Sequence, residues 1–305
     1  MKAMYTTLVM ELRLLLREKL VIIISLIFLA LTIAASFIGW STSHTVNQAY
    51  SLSQPFLAQG TAMPPNPFSG VSHLSLQRNI GMYFFLVGSL LAIVIGYQST
   101  LRDRLNRVSA LVMTRRLTKQ QFVIAKASAV SLVLSSILFI SFLCSLIVAS
   151  IFPELHLTAV QVFHFGLFYG LSWVYLVTFG MVGVISGLLA KNQTMALLLP
   201  VTLWVIIGFV IPQIISGLEP TALLNPISIT ATSQSHSFFT DLQNIIGPFS
   251  FAENYRVVSN SLLEFTNSAV NTVQLIGSIV GAVIVSIAVT LWSAAKYRPN
   301  EDVSS

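Results

Sequence analysis

The chain has 305 residues, 55% of them hydrophobic and only 9% charged, with a formal charge of +6 and a mean hydropathy of +0.82. A soluble domain carries about 25% charged residues, and the apolar excess here lies in long unbroken blocks, which leaves a polytopic helical membrane protein. The basic balance would point to nucleic acid in a soluble protein, but here the cations flank apolar runs, and the single cysteine, Cys144, rules out an intrachain disulfide or a thiol metal cluster.

Residues 1–19 predict an amphipathic interfacial helix. Met4, Tyr5, Leu8, Leu12, Leu15 and Leu16 recur at three- and four-residue spacing, and Glu11, Arg13, Arg17 and Glu18 supply the charges. A signal peptide would have a shorter charged region, and the following run is long enough to span. Span one, residues 20–40, is uncharged and ends on Trp40. Residues 41–80 are polar and hold Pro55, Pro64, Pro65 and Pro67, which predicts an irregular outer loop with Arg78 as its sole cation. Span two, 81–100, returns to a basic loop at 101–127. Span three is 128–152, and a short connection through Pro153, Glu154 and His156 leads to span four at 163–190.

Lys191, Asn192 and Gln193 then make a tight turn into span five, 195–215, where Pro200 and Pro212 are expected to bend the helix. Residues 216–272 form a second long outer segment with one cation, Arg256. Phe238, Phe239, Ile245, Ile246, Phe249 and Phe251 gather around Gly247-Pro248 there, too apolar for a solvated loop. This pattern predicts short interfacial helices dipping into the outer leaflet, to cap a pathway or dock an outer partner. Span six, 273–295, precedes a polar tail, 296–305.

Charge sets the expected orientation. Residues 101–127 hold seven of the sixteen Lys and Arg residues, Arg102, Arg104, Arg107, Arg115, Arg116, Lys119 and Lys126, against one acid, Asp103. With both termini cytoplasmic, 14 of the 16 cations lie inside and only Arg78 and Arg256 outside. Insertion retains Lys and Arg on the cytoplasmic side, so an all-α protein with six transmembrane helices and cytoplasmic N- and C-termini is expected.

No span centre carries Asp, Glu, Lys or Arg, which disfavours an ion-coupled secondary transporter. A phosphate-cradling Gly-rich loop and a HExxH pair are both missing, so neither ATP hydrolysis nor zinc proteolysis is expected of this chain, and no catalytic, cofactor or metal residues are assigned. His44, His73, His156, His164 and His236 all fall toward the outer side without ligand spacing, which favours plain interfacial placement over a metal site. Gly166/Gly170, Gly183/Gly187 and Gly277/Gly281 are small-xxx-small pairs that suit close helix packing within the chain or between copies. Ser128, Ser131, Ser135 and Ser136 could line a polar path in span three or bond back to their own helix.

The basic loop joins a span, a charged cluster, an apolar turn and the run Met113-Thr114-Arg115-Arg116-Leu117-Thr118-Lys119-Gln120-Gln121-Phe122, with Lys126 opening the next span. This order resembles the permease subunits of ABC transporters of the type-2 exporter class. Pro64-Pro65-Asn66-Pro67 before span two and Leu224-Asn225-Pro226 after span five agree with it. The family's Gly after the acidic cluster and Pro in the turn are absent, and Ala125 stands where Gly is common.

The resemblance implies a coupling helix seated in a separate ATPase subunit. Asp103 and Arg104 would match the charged cluster, Arg116 or Lys119 the arginine of the turn, and Lys126 the terminal lysine. Leu111, Val112, Met113 and Leu117 would be its apolar anchors, and Arg115 or Arg116 its forked donors. It further implies two ATPase copies that bind the ATP, a second permease copy or close relative, and residence in the cytoplasmic membrane. Within the class, the long first outer loop resembles permeases of nitrous-oxide-reductase maturation and gliding-motility systems. A membrane scaffold passing ATPase motion to an extracytoplasmic partner is therefore the alternative function.

Overall fold

The computed structural model describes residues 2–53, 71–105, 118–152, 155–190, 192–212, 245, 247, 250–265 and 272–296. Among these the chain is helical, and six helical stretches are long and apolar enough to cross a membrane. Helix α1 (Lys2–Arg17) stops at Glu18, whose N–H turns back to the Leu15 carbonyl, and α2 (Lys19–Ser53) follows at once. At 35 residues α2 is about 52 Å long, well beyond a hydrocarbon core of about 30 Å. Residues 41–53, expected to be irregular loop, instead continue span one as helix. The physical reason is that no proline or glycine interrupts them before Pro55.

The second span is assembled from pieces. A 3₁₀ turn (His73–Gln77), capped by the Ser72 hydroxyl accepting from Leu74 N–H, feeds α3 (Arg78–Tyr83), a π turn (Phe84–Gly88) and α4 (Ser89–Leu105). Here too the structure departs from the expected outer loop at 41–80, because its last residues are helical. The 3₁₀ turn is pinned to span one by the Ser36 hydroxyl, which donates to Gln77 Oε1 at 2.8 Å.

Helices α5 (Lys119–Ile151) and α6 (Ala159–Leu189) are spans three and four. Both begin with a capping box: Thr118 with Gln121, and Thr158 with Gln161. Span five is α7 (Gln193–Val205), containing Pro200, and runs into a π turn at Ile206–Val210. Pro212 follows, and lacking an N–H it cannot continue the regular ladder. Helices α8 (Phe251–Leu262) and α9 (Thr272–Lys296) are the last helices among the described residues.

The most extensive packing joins α4 and α6. Glycine makes it possible. A Cβ at Gly183 would lie 2.3 Å from the Ile93 carbonyl oxygen, and one at Gly96 would lie 2.0 Å from that of Gly180. The core around this seam is aromatic: Phe84 stacks on Phe168 at 6.1 Å and meets the edge of Tyr169 at 5.5 Å. A Cβ at Gly166, Gly170, Gly277 or Gly281, by contrast, would meet nothing within 4 Å among the described residues. The span-three serines form no single path. Ser128 and Ser131 line one surface cleft and Ser135 another, while Ser136 donates back to the Leu132 carbonyl.

Helix α8 goes deeper than the expected interfacial placement. Tyr255 stacks on Tyr175 at 4.0 Å, Phe251 stacks on it at 5.1 Å, and the Tyr255 and Ser172 hydroxyls lie 2.9 Å apart. Tyr175 sits about 24 Å along an α6 of about 46 Å, so α8 starts near the bundle's middle and climbs to the end remote from the basic loop. There it closes with Phe265 N–H donating to Asn260 O and Glu264 N–H to Ser261 O, a Schellman turn. Its left-handed residue is Glu264 (φ 55°) where glycine is usual. The carboxylate compensates by accepting from the Ser72 hydroxyl, from Gln161 Nε2 and from His164 Nδ1. These bonds hold its pKa below the ordinary carboxylate value, the Ser72 contact contributing most. His73 Nδ1 lies 2.9 Å from the His156 carbonyl oxygen, and His44 stacks on Trp40, so His44, His73 and His164 have structural partners. Phe238, Phe239 and His236 lie outside the described residues.

Candidate functional site

Five ionisable side chains, four from three helices and Glu18 from the junction after α1, meet where the basic loop begins and ends. Lys126, on the second turn of α5, is only 1% exposed, yet all three protons of its ammonium are used. Its Nζ donates to Asp103 Oδ2 at 2.6 Å, to Glu11 Oε1 at 2.9 Å and to the Ser99 carbonyl at 2.8 Å. It also lies 5.1 Å from the centre of the Phe122 ring. Arg102 completes the group, pairing with Glu18, with Glu11 Oε2 at 3.4 Å and with Asp103 Oδ1 at 3.3 Å.

Local structure explains why these residues converge. Asp103 lies in the last turn of α4. The Thr118 capping box fixes where α5 starts, placing Lys126 two turns in and facing Ser99 and Asp103. Helix α1 lies along α5, with Leu15 in the core and Thr7 and Glu11 buried on the same stripe. Spacing of four residues puts Thr7, Glu11 and Leu15 on one face.

Burial of such a group is tolerable only because every charge has a partner. Isolating one of them in an apolar interior costs several kcal/mol. Among the described residues three carboxylates, Glu11, Glu18 and Asp103, face two cations, Arg102 and Lys126. Burial, the largest effect, and neighbouring Asp103 push the Glu11 carboxyl above its ordinary pKa, against the pull of Lys126 and Arg102. Among the described residues one oxygen of Glu18 is buried without a hydrogen-bond partner, the weak point of the arrangement. No catalytic geometry results: a fully satisfied ammonium has no proton to spare and no lone pair. What the cluster does is mechanical. It bolts α1, α4 and α5 together at the root of the loop.

Of the residues expected to couple, the structure unites Asp103 and Lys126. Lys119 is exposed at the start of α5, and the backbone of Arg104 lies in the last turn of α4. Leu111, Val112, Met113, Arg115, Arg116 and Leu117 lie outside the described residues. Glu11, Glu18 and Arg102 are members that sequence reasoning missed. The available signal was Glu11 itself, a carboxylate on the stripe of Leu8, Leu12 and Leu15 where an amphipathic helix should show only apolar residues.

No curated protein matches the chain. The pattern of a family described as "ABC-2 family transporter protein" matches residues 6–296, which takes in the bolted helices, the loop and all six spans.

Proposed function

The chain belongs to the ABC-2 family of transporter proteins and is a permease component in the membrane; from that premise we propose that a separate ATPase subunit drives it through the basic loop. The loop lies on the cytoplasmic face of the cytoplasmic membrane, with both chain termini on the same side. Leu111, Val112, Met113 and Leu117 pack into a groove of the ATPase, and Arg115 or Arg116 supplies forked hydrogen bonds that lysine cannot reproduce. ATP is bound and hydrolysed in that partner, and this chain contributes no catalytic residue.

The observation that carries this reading is the Lys126 cluster. Asp103 and Lys126 stand at the two feet of the loop, 23 residues apart in sequence and 2.6 Å apart in space. A push on the loop therefore cannot be absorbed by its hinges. It must displace α1, α4 and α5 as one body, and α4 carries the motion to α6 through their glycine seam. A loop that served only to orient the chain during insertion would need none of this.

Two permeases with two ATPases make the assembly. The open glycine pairs Gly166/Gly170 and Gly277/Gly281 support a second copy, since these close-approach surfaces are unmatched among the described residues. Affinity purification of the tagged chain from its native membrane tests the reading. A small Walker-motif protein should copurify in equal amount, in a particle containing two of each. An ATPase-free monomer that still moves solute in sealed vesicles would overturn it.

A further inference from the structure

The charge asymmetry leaves two cations, Arg78 and Arg256, at the end remote from the basic loop, and both line the same cavity. The cavity holds about 450 Å³ between α3, the π turn that follows it, the end of span five and α8. Its polar lining is Arg78, Asn79, Arg256, Ser259 and Asn260, and its apolar lining includes Met82, Phe85, Leu86 and Phe209.

Three features mark this as a site built for a ligand. Among the described residues Arg78 pairs with no carboxylate; its guanidinium lies 4.5 Å from the centre of the Phe265 ring, which leaves its charge uncancelled. Arg256 is forked onto Glu253 and so adds donors more than net charge. Among the described residues the hydroxyl of Ser259, only 2% exposed, has no hydrogen-bond partner of good geometry, the nearby Tyr255 hydroxyl being engaged with Ser172. A buried hydroxyl left this way is costly unless something else satisfies it.

We propose that this cavity binds an amphipathic anion, its acidic head on Arg78, Asn260 and Ser259 and its apolar part along Phe85, Leu86 and Phe209. The volume suits a headgroup with the first stretch of one chain. Met82, 60% exposed at the rim, marks where the remainder leaves toward lipid. The same chemistry is offered by an anionic lipid of the surrounding leaflet and by a free single-chain anion. Binding needs no ATPase, so the site is tested separately from the transport reading.

The test is native mass spectrometry of the full chain in neutral detergent, titrated with phosphatidylglycerol, phosphatidylcholine, dodecyl phosphate and inorganic phosphate. One phosphatidylglycerol or dodecyl phosphate per chain should be retained in preference to phosphatidylcholine. Arg78→Gln should weaken retention about tenfold or more, the loss expected for one charge-assisted contact, and Arg78→Lys should restore part of it. Lys296→Gln, which removes a cation at the opposite end, should change nothing. Phosphatidylglycerol that resists displacement by dodecyl phosphate identifies a resident lipid; ready displacement identifies a free amphiphile; either supports the site. Equal retention of phosphatidylcholine, tight binding of inorganic phosphate alone, or full retention by Arg78→Gln would overturn it.

Discussion

Lys126 is the residue on which the ionic cluster turns, and the balance of charges around it dictates unequal effects for substitutions that look alike. Lys126→Met leaves Glu11 and Asp103 in the interior with, among the described residues, Arg102 alone to face them. Breaking a buried pair from one side typically costs about 3–5 kcal/mol, and unfolding of the purified chain should show a loss of that order. Glu11→Gln should cost far less, because it removes a buried carboxylate that faces Asp103 while Asp103 and the Ser99 carbonyl still hold the ammonium.

The pH profile distinguishes the two further. A carboxyl whose pKa is raised by folding keeps its proton longer in the folded chain. Stability therefore falls as pH rises from the ordinary carboxylate value through the higher folded one. Wild type should lose stability across that interval, and Glu11→Gln should be flatter there. An identical slope in the two proteins would mean that Glu11 is not held as described. Asp103 and Lys126 were legible beforehand because they flank a loop whose order resembles a known family. Glu11 was not, since no spacing rule says which helix will lie against α5. Glu264 was hidden for another reason: sequence offers no sign that a glutamate will take a position that favours glycine.

At the scale of elements, the α4–α6 seam makes the cluster more than a local clamp. A side chain at Gly183 would collide with backbone, the Ile93 carbonyl at 2.3 Å and the Tyr97 nitrogen at 2.9 Å, so no rotamer change can relieve it. Gly183→Val should force the helices apart and cost about 3 kcal/mol or more, at the upper end for overpacking. Gly166→Val, with nothing within 4 Å, should leave the single chain's stability unchanged. Equal losses for the two would contradict the packing. Spans were readable from hydropathy because hydrocarbon imposes length and composition together. The helical extension at 41–53 was obscured by its polar residues, which signal departure from the bilayer but not from helix. The depth of α8 was obscured because an amphipathic helix seated on aromatics inside a bundle has the same residue pattern as one lying on a surface.

The whole molecule is a six-span permease component in which a stiff base joins the basic loop to the bundle. Truncating a buried anchor in a protein interface costs about 2 kcal/mol or more, roughly thirtyfold in binding, and placing carboxylates there should do at least as much. Membrane insertion, in contrast, responds to the loop's Lys and Arg residues, which Val112→Asp with Met113→Asp leaves intact. Pull-down of the ATPase by that double variant, beside impermeant-reagent labelling of cysteines at Ser69, Ser109 and Ser233 on the same protein, tests the coupling role most directly. Loss of the ATPase should accompany unchanged labelling, with Ser69 and Ser233 reacting from outside and Ser109 only after the membrane is opened. Retention of both the ATPase and transport by the double variant would contradict the coupling role and reduce the loop to an anchor for orientation.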